Sequence, residues 1–241
     1  MEILNLYSGI GGNRKLWKDV NVTVVEINPD IADAYQDFFP DDKVIVGDAH
    51  DYLLNHISNG YDFIWSSPPC PTHSQVRYRI GVLNGKCKPV YPDMRLYQEI
   101  IFLKYHFKGK WVVENTEPYY EPLIKPLKVG RHRIWSNFNI TDISIDGADK
   151  IRWGGNDKRQ EVKGFDISKY SFPDKRKILR NCVRPEIGKH ILDCTFKIQQ
   201  EKNMVKCPRC KKQMQRIAPE RRYRTFICEC GYRTVFEPYE G

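Results

Sequence analysis

Short apolar runs at residues 3–7, 22–25, 44–46, 61–65 and 111–113 alternate with stretches of helical periodicity at 13–20, 30–38, 49–57 and 93–107. Strands of this kind, each followed by a helix, predict an α/β domain built of βαβ units around a mostly parallel sheet covered on both faces. In such sheets ligands bind at the carboxyl ends of the strands. The distinctive clusters of the sequence fall there. Tyr7-Ser8-Gly9-Ile10-Gly11-Gly12 follows the first strand, Glu26 ends the second and Asp48 follows the third. The run from Ser66 to Ser74 follows the fourth, and Glu114-Asn115 follows the fifth.

The chain has 241 residues, room for one full domain and a small accessory module. No stretch approaches the roughly 18 uncharged apolar residues of a membrane helix. The opening MEILNLYSGIGG lacks the basic region and cleavage site of a secretory signal. A cytoplasmic, monomeric chain without membrane attachment is expected. Residues 1–149 carry 16 basic and 19 acidic side chains, whereas residues 150–241 carry 23 and 11. A near-neutral domain followed by a basic tail points to a polyanionic partner. A basic surface serving only solubility is the plainer alternative.

Beyond residue 137 the pattern weakens. Turns are predicted at 154–159 and 171–174, and a last helix begins near Arg184-Pro185-Glu186 and runs through Ile191 and Leu192. The charged stretch 199–203 reads as a linker. Four segments are therefore expected: a core over 1–137, an irregular segment over 138–180, a returning helix over 181–198 and a cysteine-bearing module over 199–241.

The glycines after the first strand suit a tight turn with close backbone approach to a ligand. Without a Lys-Ser/Thr sequel the turn is not a phosphate-binding P-loop. Glu26 can accept hydrogen bonds from two ribose hydroxyls, and Asp48 from an adenine amino group. An adenosine cofactor without a pyrophosphate fits, and S-adenosylmethionine is the obvious one. The alternative for each acid is a helix N-cap or an exposed turn residue. In Ser66-Ser67-Pro68-Pro69-Cys70-Pro71-Thr72-His73-Ser74 the prolines stiffen a loop that presents the Cys70 thiol. Glu114, at a neighbouring strand end, is an acid that can protonate or hold a substrate.

This set resembles the DNA (cytosine-5)-methyltransferases. Tyr7–Gly12 looks like their cofactor loop, Glu26 and Asp48 like their adenosine-binding acids, and Pro68-Pro69-Cys70 with Ser74 like their catalytic loop. Glu114-Asn115, Arg131-His132-Arg133 and Asn181-Cys182-Val183 with Ile191 look like the Glu-Asn, Arg-x-Arg and Asn-x-Val elements, in family order over residues 1–192. The resemblance implies a Rossmann-like S-adenosylmethionine-dependent fold acting on double-stranded DNA. It implies that the Cys70 thiolate adds to carbon 6 of a flipped cytosine, that Glu114 serves ring nitrogen 3, and that Arg133, supported by Arg131, binds the base's carbonyl oxygen. It implies a cofactor pocket of Tyr7, Gly9, Ile10, Gly12, Glu26, Ile27, Asp48, Ala49, Pro69, Leu96, Asn181 and Val183, with Ser74 toward the nucleic acid.

The chain departs from the family at several points. Tyr7 stands where Phe is usual, Pro71 where Gln is, His73 where Phe is common, Thr116 where Val is, and Val129 where Gln is. Only residues 134–180 fill the interval that normally houses a large target-recognition region, which leaves little to read bases in the major groove. A helper subunit or a partner restriction nuclease would suit so compact an enzyme.

Eight cysteines in a non-secreted chain argue against a disulfide framework. Cys207-x₂-Cys210 and Cys228-x-Cys230, 17 residues apart, form two thiol pairs suited to a tetrahedral structural zinc, the second pair one residue shorter than the first. Lys211, Lys212, Arg216, Arg221, Arg222 and Arg224, with Tyr223 and Phe226, suit contacts to a nucleic acid. A purely structural ribbon and four unmetallated thiols are the alternatives. Cys87 and Cys194 read as buried small hydrophobes, and His50, His56, His106 and His190 as structural. Two rival functions remain: an RNA (tRNA) cytosine-5 methyltransferase of the same family, and a catalytically silent nucleic-acid-binding protein.

Overall fold

The computed structural model describes residues 1–141, 163–203, 207–212, 214–217 and 224–236. Two compact units divide the chain, Met1–Leu192 and Asp193–Gly241. The first is built on a seven-stranded sheet of order β3-β2-β1-β4-β5-β7-β6. Strands β1 (Glu2–Leu6), β2 (Asn21–Glu26), β3 (Lys43–Val46), β4 (Phe63–Ser66) and β5 (Lys110–Thr116) are parallel. β6 (Leu127–Val129) and β7 (His132–Ser136) follow, with β7 antiparallel to both β5 and β6. All five strands expected from the sequence are present. Glu114 and Asn115 lie within the long β5 rather than after it.

β1 connects outward to β2, whereas β4 and β5 lie on its other side, so the carboxyl ends of β1 and β4 flank a topological switch point. One face of the sheet packs Leu4, Leu6, Val25, Ile64 and Val113 against helices α2 (Ala49–His56) and α3 (Arg95–His106), through Leu53, Leu96, Ile100 and Leu103. On the other face Trp17 packs edgewise on Phe63 and tilted on Trp65. Helix α1 (Pro29–Phe38) starts where its sequence says it should: Asn28 caps the Ile31 amide and Pro29 takes the first turn.

The helix expected over residues 13–20 is instead a string of turns, with amide bonds from Gly11 to Ser8, Arg14 to Gly11 and Trp17 to Arg14. Tertiary bonds override the helical periodicity here. Asn13 exchanges amide hydrogen bonds with the buried Asn5 of β1, and the Arg14 guanidinium forks onto Asp42.

Helix α4 (Lys175–Asn181), capped by Asp174, was not foreseen, while α5 (Pro185–Asn203) begins as expected but continues through the stretch read as a linker. Cys194 is buried as expected, whereas Cys87 is only half-buried. Residues 142–162, about half of the irregular segment and including its turn at 154–159, lie outside the described residues. The second unit carries a three-stranded antiparallel sheet of β8 (Gln215–Ile217), β9 (Arg224–Ile227) and β10 (Arg233–Phe236), in the order β10-β9-β8. Among the described residues no helix is long and apolar enough to cross a membrane.

Candidate active site

At the switch point the chain leaves β1 through Tyr7 and Gly9, both left-handed, at φ 55° and 54°. Glu26 fastens this turn from the neighbouring strand: Oε2 accepts the Gly9 amide and Oε1 the Asn28 amide, each at 3.0 Å. Each carboxylate oxygen has a second lone-pair direction, so Glu26 can brace the loop and still receive a ligand. Asp48 also has a local task, because Oδ1 caps α2 through the amides of His50 and Asp51, while Arg95 Nη1 stands 3.4 Å from Oδ2. Open space surrounds the position a Cβ would take at Gly9 and at Gly47, and Ile27 is 65% exposed beside Glu26. Open backbone positions beside carboxylate acceptors suit an adenosine-bearing cofactor.

Gly12 meets the opposite condition. A Cβ there would lie 2.3 Å from Cys182 Sγ and 2.3 Å from the Val183 carbonyl oxygen, so the glycine loop and the Asn181–Val183 segment are in direct contact. That segment is itself tied down: the Lys163 ammonium donates to the Cys182 carbonyl and Arg131 Nη2 to the Arg180 carbonyl. Desolvation draws the buried Lys163 down to about 8. Of the remaining cofactor candidates, Ile10, Ala49, Leu96 and Val183 are buried, whereas Pro69 and Asn181 are exposed.

The loop after β4 is rigid for reasons beyond its prolines. Asn115 Nδ2 donates to the Pro68 carbonyl at 2.9 Å, Trp65 Nε1 to Ser67 Oγ at 2.8 Å, and the amides of His73 and Ser74 both bond the Cys70 carbonyl at 3.1 Å. The segment after β5 grips the loop as well, through Gln75 to Glu117 and Tyr119 to His73. Ser74 Oγ accepts the Arg77 amide at the start of a π-helical turn, Arg77–Val82.

Cys70 is half-buried in this cage. Desolvation, and next the nearby Glu114 carboxylate, push its thiol up, against the pull of Arg180 and Arg131. Burial alone would raise Glu114, yet His132, the Ser67 hydroxyl and Arg131 together hold it below the ordinary carboxylate range. Nδ1 of His132 lies 2.5 Å from Glu114 Oε1. Arg131 Nε approaches His132 Nε2 at 3.5 Å, which assigns the ring proton to Nδ1 and makes it the donor to Glu114.

His132 is a site residue that the sequence reading passed over. In the β5–β7 register Glu114 faces Ile134 and Asn115 faces Arg133, and alternation then sets Glu114 and His132 on one face of the sheet and Arg133 on the other. Arg133 pairs there with Glu117 Oε1 at 2.5 Å. The structure thus brings Cys70, Glu114, His132 and Arg131 together, while Arg133 is engaged with Glu117. The available signal was the antiparallel return of β7, whose strands the sequence reading did not predict.

In the second unit Cys207 and Cys230 sulfurs are 3.5 Å apart, Cys210 and Cys228 sulfurs 3.3 Å, and all four lie within 4.8 Å of one another. A tetrahedron with Zn–S bonds of about 2.3 Å requires sulfurs about 3.8 Å apart, so the set suits a zinc ion. The two knuckles are alike: the Lys211 amide bonds the Cys207 carbonyl and the Gly231 amide the Cys228 carbonyl, with Lys211 and Gly231 both left-handed. Lys211 and Lys212 are exposed beside the thiols. Arg221 and Arg222 lie outside the described residues, and Arg224 is described only as a position in β9.

The sheet order, with β7 reversed against the other six strands, defines the class: a Rossmann-like methyltransferase fold. Residues 1–100 match the family model described as C-5 cytosine-specific DNA methylase. Among solved structures it is similar to the Entamoeba histolytica methyltransferase EhMeth, at 11% identity and a TM-score of 0.48, over 83% of this chain and 98% of that one. A DNMT2 mutant from Spodoptera frugiperda aligns at 26% identity with a TM-score of 0.35, over 48% of this chain and 35% of that one. The S. pombe Dnmt2 methyltransferase aligns at 15% and 0.36, over 48% and 34%. The chain therefore spans about a third of the length of these two DNMT2 proteins. No curated protein matches the sequence.

Proposed function

We propose that the chain methylates carbon 5 of cytosine in DNA, through a covalent adduct between Cys70 and carbon 6 of the base. The observation that carries the reading is the caged, half-buried Cys70 thiol, inside the segment that matches the family model, with the buried carboxylate of Glu114 beside it. Bound at the β1 and β2 strand ends, S-adenosylmethionine supplies the methyl group. Gly9, Glu26, Ile27 and Asp48 hold it there, with the Asn181–Val183 segment behind Gly12.

The chain's own residues do the rest. The Cys70 thiolate forms a bond to carbon 6, and the carbon 5–carbon 6 π pair moves into the ring, making carbon 5 nucleophilic. Glu114 meets the charge that develops at ring nitrogen 3, by hydrogen bonding or proton donation. Arg131, near both Cys70 and Glu114, favours the thiolate and the anionic ring. After transfer, water takes the carbon 5 proton, the electron pair of that bond re-forms the carbon 5–carbon 6 double bond and the thiolate departs, restoring Cys70. In a duplex the target atom is stacked, so the base must leave the helix to reach Cys70. The second unit binds zinc through Cys207, Cys210, Cys228 and Cys230, and its lysines touch phosphate.

The test is transfer of labelled methyl groups to unmethylated duplex DNA and, separately, to tRNA, with Cys70→Ala as control. Label appearing as 5-methylcytosine in DNA, and lost in Cys70→Ala, supports the reading. Label in tRNA alone moves the substrate to RNA, and label in neither overturns the activity.

A further inference from the structure

Behind the cofactor turn lies a carboxylate that the mechanism does not use. Glu99 of α3 is 1% exposed. Its Oε1 accepts the Tyr7 hydroxyl at 2.5 Å and faces His50 Nδ1 at 3.0 Å, while Oε2 accepts the Ser66 hydroxyl at 2.5 Å. The three donors come from the turn after β1, the first turn of α2 and the end of β4. One buried group therefore joins α3 to the elements that surround the switch point. Tyr7 is an aromatic residue in the left-handed region, a conformation that surrounding contacts must hold. Its hydroxyl on Glu99 is such a contact, and the next residues are Ser8 and the open Gly9. His50 is reached by Glu99 and Arg95 from α3 and by Asp48 from its own N-terminus, the acid that the cofactor reading assigns to the adenine.

We propose that Tyr7, His50 and Ser66 clamp the cofactor turn onto Glu99, making Tyr7 and His50 positioning residues for S-adenosylmethionine and making cofactor affinity fall as His50 loses its proton. This rests on the cofactor reading above. The hydrogen bond to Glu99 raises His50 above its ordinary value, against desolvation. The charged pair is thus fully formed below the ordinary histidine value and is lost as pH rises through the raised one. Deprotonation weakens the His50 arm to a neutral hydrogen bond and leaves the Tyr7 arm in place.

Calorimetric titration of the full chain with S-adenosylhomocysteine, at pH 6 and pH 8.5, separates the two arms without needing a nucleic-acid substrate. Wild type is expected to bind about threefold more weakly at the higher pH. Tyr7→Phe keeps the ring and removes only the hydroxyl; it should bind about tenfold more weakly at both pH values and retain the wild-type pH dependence. His50→Gln keeps a donor that does not titrate and should abolish the pH dependence. If both variants bind as wild type does, with its pH dependence, the clamp is refuted while the cofactor reading stands. If wild type itself fails to bind, the cofactor reading falls and the clamp with it.

Discussion

Replacing His132 with Phe leaves a buried carboxylate without its nearest donor. Glu114 is buried, and its partners are His132 at 2.5 Å, the Ser67 hydroxyl and the more distant charge of Arg131. With His132 gone, burial dominates and the Glu114 carboxyl moves up. Removing one member of such a buried pair costs about 3–5 kcal/mol. In a unit of this size each kcal/mol corresponds to roughly 2–4 °C of melting temperature, so His132→Phe should melt about 6–20 °C below wild type at neutral pH. Glu114 is held below its ordinary value in the folded protein, so its contribution is complete at neutral pH and is lost on acidification. The gap between wild type and variant should narrow as pH falls below the ordinary glutamate value of about 4.3. A double-mutant cycle with Glu114→Gln isolates the pair: once the carboxylate is gone, His132→Phe should cost much less, giving a coupling of about 2 kcal/mol. A His132→Phe protein that melts within about 2 °C of wild type at neutral pH, or a coupling under about 0.5 kcal/mol, would refute the reasoning.

Three further outcomes follow from the geometry. Gly12→Ala puts a Cβ 2.3 Å from the Val183 carbonyl, a backbone atom with little room to give, and should lose about 3 kcal/mol in a thermal melt, whereas Gly47→Ala meets open space and should stay within about 1 kcal/mol of wild type. The Glu114 carboxylate helps keep the Cys70 thiol high, so alkylation of Cys70 by iodoacetamide should accelerate with pH to a midpoint above the ordinary thiol value, and Glu114→Gln should move that midpoint down; an unmoved midpoint counts against their proximity. The four thiols should carry about one zinc per chain, released by chelator under denaturing conditions and missing from Cys207→Ser/Cys230→Ser; metal-free purified protein would exclude the zinc assignment.

The sheet was legible because its strands are apolar, short and separated by helices, and because the polar clusters stand at their ends. Where local pattern and tertiary bonding conflict, the sequence misleads. Residues 13–20 have helical periodicity, but Asn13 and Arg14 are drawn to Asn5 and Asp42, partners that only the assembled sheet provides. β6 and β7 were missed because they are three and five residues long and mix Lys, His and Arg into the apolar pattern. That omission concealed His132, since only the β5–β7 register brings it to Glu114. The acids at the strand ends posed a choice between helix cap and ligand acceptor. Asp48 does cap α2, and a carboxylate has lone pairs enough for both tasks. His50 read as structural because its partner, Glu99, lies 49 positions away on another helix.

The central claim is that Cys70 bonds to the target base, and trapping tests it most directly. Oligonucleotides bearing 5-fluorocytosine, as duplex DNA and as RNA, are incubated with the chain and S-adenosylmethionine and analysed by intact mass and peptide mapping. Fluorine replaces the proton that must leave, so the adduct cannot resolve. The account predicts a stable adduct with the DNA, mapped to Cys70 and absent from Cys70→Ala. An adduct mapped to any other residue, or none on either polymer, would contradict it, and an adduct confined to RNA would contradict the choice of DNA.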